Sequence, residues 1–123
     1  MPYRYEWKDN YFVTKFSGEL NLKEIRECDN IHDGHVNFDN LRYSIWDFSE
    51  IDSVNLIEHD INIISAIDHA SSISNPNLKI LLIINNPDFK PLADMYIDSV
   101  KDLPWEVHIF ETYDQALKWK AYN

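Results

Sequence analysis

Aromatic and charged residues alternate through Tyr3-Arg4-Tyr5-Glu6-Trp7-Lys8, a period of two that predicts a strand with one buried face. Asp9-Asn10 supplies a turn, and residues 11–16 return as a second aromatic and β-branched run, so the pair reads as an antiparallel hairpin. Ser17-Gly18-Glu19 interrupts the pattern. Asn21 with Glu24 three residues later has the spacing of a capping box, which predicts a helix with Leu22, Ile25 and Cys28 inward, ending near Asp33-Gly34. Residues 43–48 read as a third strand. The longest helical stretch, residues 54–72, sets Leu56, Ile63 and Ile67 on one side with Ile57, Ile61 and Ile64 beside them.

Residues 78–84 are almost continuously apolar, as in a central parallel strand covered on both faces. Asn85-Asn86-Pro87-Asp88 then makes a turn and cap before a helix with Leu92, Met95, Tyr96 and Val100 inward. Residues 105–110 form a fifth strand, and residues 112–121 a last helix that docks Ala116, Leu117 and Trp119. The order ββαβαβαβα predicts an α/β fold: an N-terminal antiparallel hairpin leading into a mostly parallel five-stranded sheet, with about four helices on its faces.

Composition narrows the function. The 123 residues are one domain's worth, and four Trp, seven Tyr and six Phe supply a core. No apolar run approaches the ~20 residues of a membrane span, and no secretory-signal pattern opens the chain, so no membrane insertion is expected. Cys28 is the one cysteine, which excludes an intrachain disulfide or a Cys-based zinc cage and suits a reducing cytoplasm. The formal charge of −10, with Lys and Arg scattered, argues against nucleic acid and favours either simple solubility or a basic protein partner.

Three local patterns carry a family resemblance. Phe16-Ser17-Gly18-Glu19-Leu20 looks like a strand end that precedes a first helix. Trp46-Asp47-Phe48-Ser49-Glu50-Ile51-Asp52-Ser53 is similar to an apolar-Asp-Leu-Ser-x-apolar-Asp-Ser run at the end of a third strand. Val107-His108-Ile109-Phe110, followed by Tyr113-Asp114-Gln115-Ala116-Leu117-Lys118-Trp119, looks like a closing strand and helix. In this order they resemble the SpoIIAA-like branch of the STAS domain superfamily, which includes anti-sigma-factor antagonists, across residues 1–123 as a single domain.

In the antagonists that resemblance points to, the third-strand run continues to a phosphorylated hydroxyl residue near a helix N-terminus, where the added charge disrupts docking. The matching positions here read Asp52-Ser53-Val54-Asn55, and Val54 has no oxygen to phosphorylate. Ser53 lies one residue away and reads as a cap of the long helix. The resemblance thus implies a non-enzymatic protein-interaction module without the usual phosphorylatable residue. Its candidate contact surface spans residues 47–58, with Asp47, Ser49, Asp52, Ser53, Asn55 and Glu58 facing a protein partner. Because the branch also resembles lipid-carrier domains in fold, the alternative is a carrier or sensor of a small apolar ligand held in a cavity of ~300 Å3 or more.

Chemistry-bearing clusters are sparse. His32-Asp33-Gly34-His35 brings two imidazoles and a carboxylate together but offers no third metal ligand, and it reads as a solvated loop. Cys28 and His32 share a helix face at i, i+4, yet no oxyanion-hole signal accompanies them. Gly18 and Gly34 are the only glycines, so no phosphate-cradling loop exists and no cofactor is expected. A receiver domain is excluded because Glu111-Thr112, not a Lys, follows the fifth strand. Asp60 lies on the wheel between Leu56, Ile64 and Ile67, where it snorkels at the sheet rim, caps backbone groups or marks a polar spot in a pocket. The edge hairpin's aromatics also make a homodimer plausible.

Overall fold

The computed structural model describes residues 3–123. Strand β1 (Tyr3–Trp7) pairs antiparallel with β2 (Tyr11–Asn21), so Tyr3, Tyr5 and Trp7 stand opposite Phe16, Thr14 and Phe12 on one face. Strands β3 (Tyr43–Asn55), β4 (Lys79–Ile83) and β5 (Glu106–Phe110) follow in parallel, giving the sheet order β1-β2-β3-β4-β5. Each parallel step moves the same way across the sheet. Right-handed connections therefore set α1 (Leu22–Asp33), α2 (Glu58–Ser74) and α3 (Lys90–Ser99) on one face. Helix α4 (Tyr113–Tyr122) follows the edge strand and covers the other. A short 3-10 turn, Phe38–Asn40, leads into β3.

Two apolar clusters match these layers. The larger joins Phe12, Phe16, Trp46, Phe48, Ile80 and Leu82 of the sheet to Ile25, Ile61, Ala93 and Tyr96 of the three helices. The smaller packs Ala116 against Ile45, Leu81 and Ile83. Leu81 and Leu82 fall in different clusters, which is why β4 reads as continuously apolar.

Strand and helix boundaries depart from the expectation at one end of the sheet. Ser17-Gly18-Glu19 does not stop β2, because Gly18 takes φ +71° at an irregularity in the ladder and the strand continues to Asn21. Strand β3 keeps pace to Asn55, two residues longer than its partner segment: Lys15 pairs Asp47 and Ser17 pairs Glu50, while Gly18 pairs Ile51 and Glu19 pairs Ser53. Helix α2 therefore starts at Glu58 and not at residue 54. Its buried face takes only Ile61 from the expected isoleucine stripe, with Ile63, Ile64 and Ile67 half-buried. Ile61, Ser65, Asp68 and Ser72 face inward, whereas Ile57 is 64% exposed. Small hydroxyl residues fit here because they bond to backbone: Ser65 Oγ donates to Ser99 O at 3.4 Å and Ser72 Oγ to His69 O at 2.9 Å.

Candidate functional site

Beyond the last β3–β4 pair, Asp47–Ile83, and the last β1–β2 pair among the described residues, Tyr3–Phe16, strands β2 and β3 run on as a parallel ribbon. It projects from the carboxyl ends of the parallel strands, the end where open α/β sheets commonly present their sites. Asp52 is the residue of β3 left unpaired between Gly18–Ile51 and Glu19–Ser53. Asp52, Ser53, Asn55, Ile57 and Glu58 are all exposed there, with Leu20, Ile51 and Leu56 buried beneath. Ser53 is thus a ladder residue, not the cap of α2. That cap is made by Asp60, whose carboxylate accepts from Ile57 N at 3.0 Å.

The expected surface does not form one patch. Asp47 is 2% exposed and sits on the α4 side of the sheet, accepting from Ser49 N at 2.9 Å with Lys15 Nζ at 3.8 Å. Ser49 is half-buried. Asp60 caps the backbone at the start of α2, one of the roles its place on the wheel allows, and is not among the residues that line the cavity between the helices and the sheet.

A second site lies between the three helices and the sheet. Sixteen residues enclose a partly open cavity of about 60 Å3. Its walls are apolar apart from Asp29, His32, Asp68 and Tyr96. Tyr96 Oη donates to Asp68 Oδ2 at 2.5 Å. Burial pushes the Asp68 carboxyl up to about 7, against the lowering effect of that bond. Asp29 is pushed well up by burial and by the Asp68 and Asp33 carboxyls, and its buried Oδ2 has no hydrogen-bond donor. Asp29 was legible in principle: it lies four residues after Ile25, on the inward stripe of α1. Asp68 was not, because its partner Tyr96 is supplied by another helix.

Among the described residues no three or more His, Cys, Asp or Glu are grouped to hold a metal ion, and His32 does not lie in a solvated loop. It is the buried last turn of α1, with Nδ1 2.6 Å from Asp33 Oδ1 and Nε2 2.5 Å from Ser44 Oγ. Ser71 Oγ donates to Asp33 Oδ2 at 2.5 Å, tying α2 into the same chain. This Ser-His-Asp order resembles a hydrolase triad, but Ser44 is completely buried and offers no surface for a substrate to approach, and the Phe12, Phe38 and Trp46 rings pack around His32. Its work is to join α1, α2 and β3. His35 lies apart, stacked on Trp7 at 3.9 Å. Cys28 is also closed off, beside Thr14 Oγ1 at 3.5 Å, and burial pushes its thiol up to about 12.

No protein-family model and no curated protein matches the sequence. Solved structures do match. The anti-sigma factor antagonist SpoIIAA in its unphosphorylated form superposes with a TM-score of 0.64 over 98% of both chains, at 8% identity. An anti-sigma factor antagonist from Mycobacterium paratuberculosis gives 0.57 at 18% identity, covering 95% of this chain and 91% of its own. An uncharacterised protein with a SpoIIAA-like fold from Shewanella loihica PV-4 gives 0.54 at 16% identity, covering 95% and 90%. No described helix is long and apolar enough to cross a membrane. Sheet order, the antiparallel first strand and these superpositions together show that the chain has the SpoIIAA-like fold.

Proposed function

We propose that this protein is a non-enzymatic regulatory module that docks a protein partner through the projecting end of β2 and β3. The observation that carries this reading is the exposed set Asp52, Ser53, Asn55, Ile57 and Glu58 on a ribbon anchored to the core by the buried Leu20, Ile51 and Leu56. Acidic groups around an exposed isoleucine suit a basic or helical partner surface, and the formal charge of −10 would speed its approach. Two structural neighbours are anti-sigma factor antagonists, which supports a protein as the ligand. Control by phosphate at residue 54 is absent from this reading, since Val54 carries no hydroxyl.

A photo-crosslinking residue placed at Ser53, and separately at Val36, tests the proposal in cells. Val36 is 87% exposed and follows α1, at the opposite end of the sheet. A discrete protein adduct from position 53 and none from 36 is expected. Adducts from 36 alone, or from neither, contradict the docking surface.

Carriage of a small apolar ligand is the second reading, favoured by the apolar cavity. Its volume of about 60 Å3 places it behind the first, because ordinary small-molecule pockets begin near ~300 Å3.

A further inference from the structure

The cavity between the helices and the sheet is chemically lopsided. Trp46, Phe48, Phe89 and Trp105 present aromatic surface, while Asp29 and Asp68 bring two carboxyl groups to the same wall. No Lys or Arg lines it. The groups that could neutralise Asp29 are otherwise engaged. Both ring nitrogens of His32 are taken by Asp33 and Ser44, and the Tyr96 hydroxyl is given to Asp68. Arg26, one turn earlier on α1, is exposed. Asp29, itself 95% buried, is left with Oδ2 unpartnered.

Leaving a buried carboxylate oxygen unpaired is costly, and a ligand that donates to it recovers that cost. Aromatic faces together with carboxylates are the surroundings that select organic cations, through the negative face of each ring. A volume of about 60 Å3 admits a molecule of about three or four heavy atoms. We propose that the cavity binds a small alkylammonium ion, its N–H donating to Asp29 Oδ2 and its alkyl part lying against Trp46, Phe48 and Phe89. Entry is past Ile64 and Leu92, the half-buried residues of the lining on α2 and α3.

Binding is linked to protons. Asp29 is faced by Arg26, His32 and Asp33 from α1, by Asp68 from α2, with His69 acting on Asp68 in turn, and by Tyr96 from α3; the strands contribute no titratable group to the lining. Burial and the acidic neighbours favour the protonated carboxyl in the free protein, so the cation binds as that proton leaves to solvent. Affinity therefore falls as pH is lowered, approaching tenfold per pH unit where one proton is released.

Ethylammonium chloride is the probe, followed by the Trp indole N–H signals in two-dimensional NMR, with ethanol as the neutral isostere and sodium chloride at matched ionic strength. Saturable shifts at Trp46 and Trp105 are expected with ethylammonium, weakening from about pH 8 to 5. Asp29→Asn is expected to keep the fold and bind about ten- to a hundredfold more weakly. Shifts that do not saturate, equal binding of ethanol, or undiminished binding by Asp29→Asn each overturn the proposal. Equal binding of ethanol would point instead to a neutral ligand, the carrier reading. The parent protein's comparison of the two probes decides the matter even where the variant unfolds. The docking surface at β2 and β3 is separate, so neither result bears on it.

Discussion

Asp68 sits where burial and a hydrogen bond pull in opposite directions. Its folded pKa of about 7 lies above the 3.8 of an unfolded aspartate, so the fold favours the protonated form. The stability this contributes is full below about pH 4 and is lost as pH rises through the folded value near 7. Asp68→Asn keeps an acceptor for Tyr96 and cannot ionise. At about pH 8 it is expected to be more stable than the parent by on the order of 2–4 kcal/mol, and close to it at about pH 4. Urea unfolding at both values checks this, and a variant that loses stability equally at both contradicts it. His32 makes the opposite kind of contribution. His32→Ala strands Ser44 and Asp33, and a loss of about 2–4 kcal/mol is expected at neutral pH, measured by the same titration. Position on a helical wheel separated neither residue from its neighbours. Asp60 and Asp68 are both aspartates of α2, and what distinguishes them is Tyr96, a side chain brought by a different element.

At the scale of elements, most of the architecture follows from periodicity. The alternation of residues 3–8, the capping pair Asn21 and Glu24, and the apolar run of β4 each found the structure they imply, with Glu24 N donating to Asn21 Oδ1 at 3.0 Å. Asn21→Ala is expected to cost about 1 kcal/mol by removing that cap. The ribbon was hidden because Gly18 reads as a terminator. A glycine at φ +71° can instead carry a strand through an irregularity, and nothing in the adjoining residues says which of the two it will do. A Cβ at Gly18 meets no atom within 4 Å, so Gly18→Ala carries only the conformational cost, about 1–2 kcal/mol. A larger loss in thermal unfolding would mean that the segment also packs against something.

For the whole molecule, the account rests on a division of labour between two regions. The interior between α1, α2, α3 and the sheet holds the Asp29 and Asp68 carboxyls, and the projecting ribbon holds the exposed Asp52 and Glu58. The fold was legible from motif order because each strand–helix step advances across the sheet in one direction. The candidate surface was legible only in part, since Asp47 is buried and Ser49 half-buried while Asp52, Ser53, Asn55 and Glu58 are exposed. Native mass spectrometry of the protein purified gently from its own cells tests the central claim most directly, with an Asp52→Lys/Glu58→Lys variant run beside it. The account predicts a defined complex with a second protein that the charge reversal abolishes. A bare mass for the parent protein, or a complex that survives the reversal intact, would contradict it.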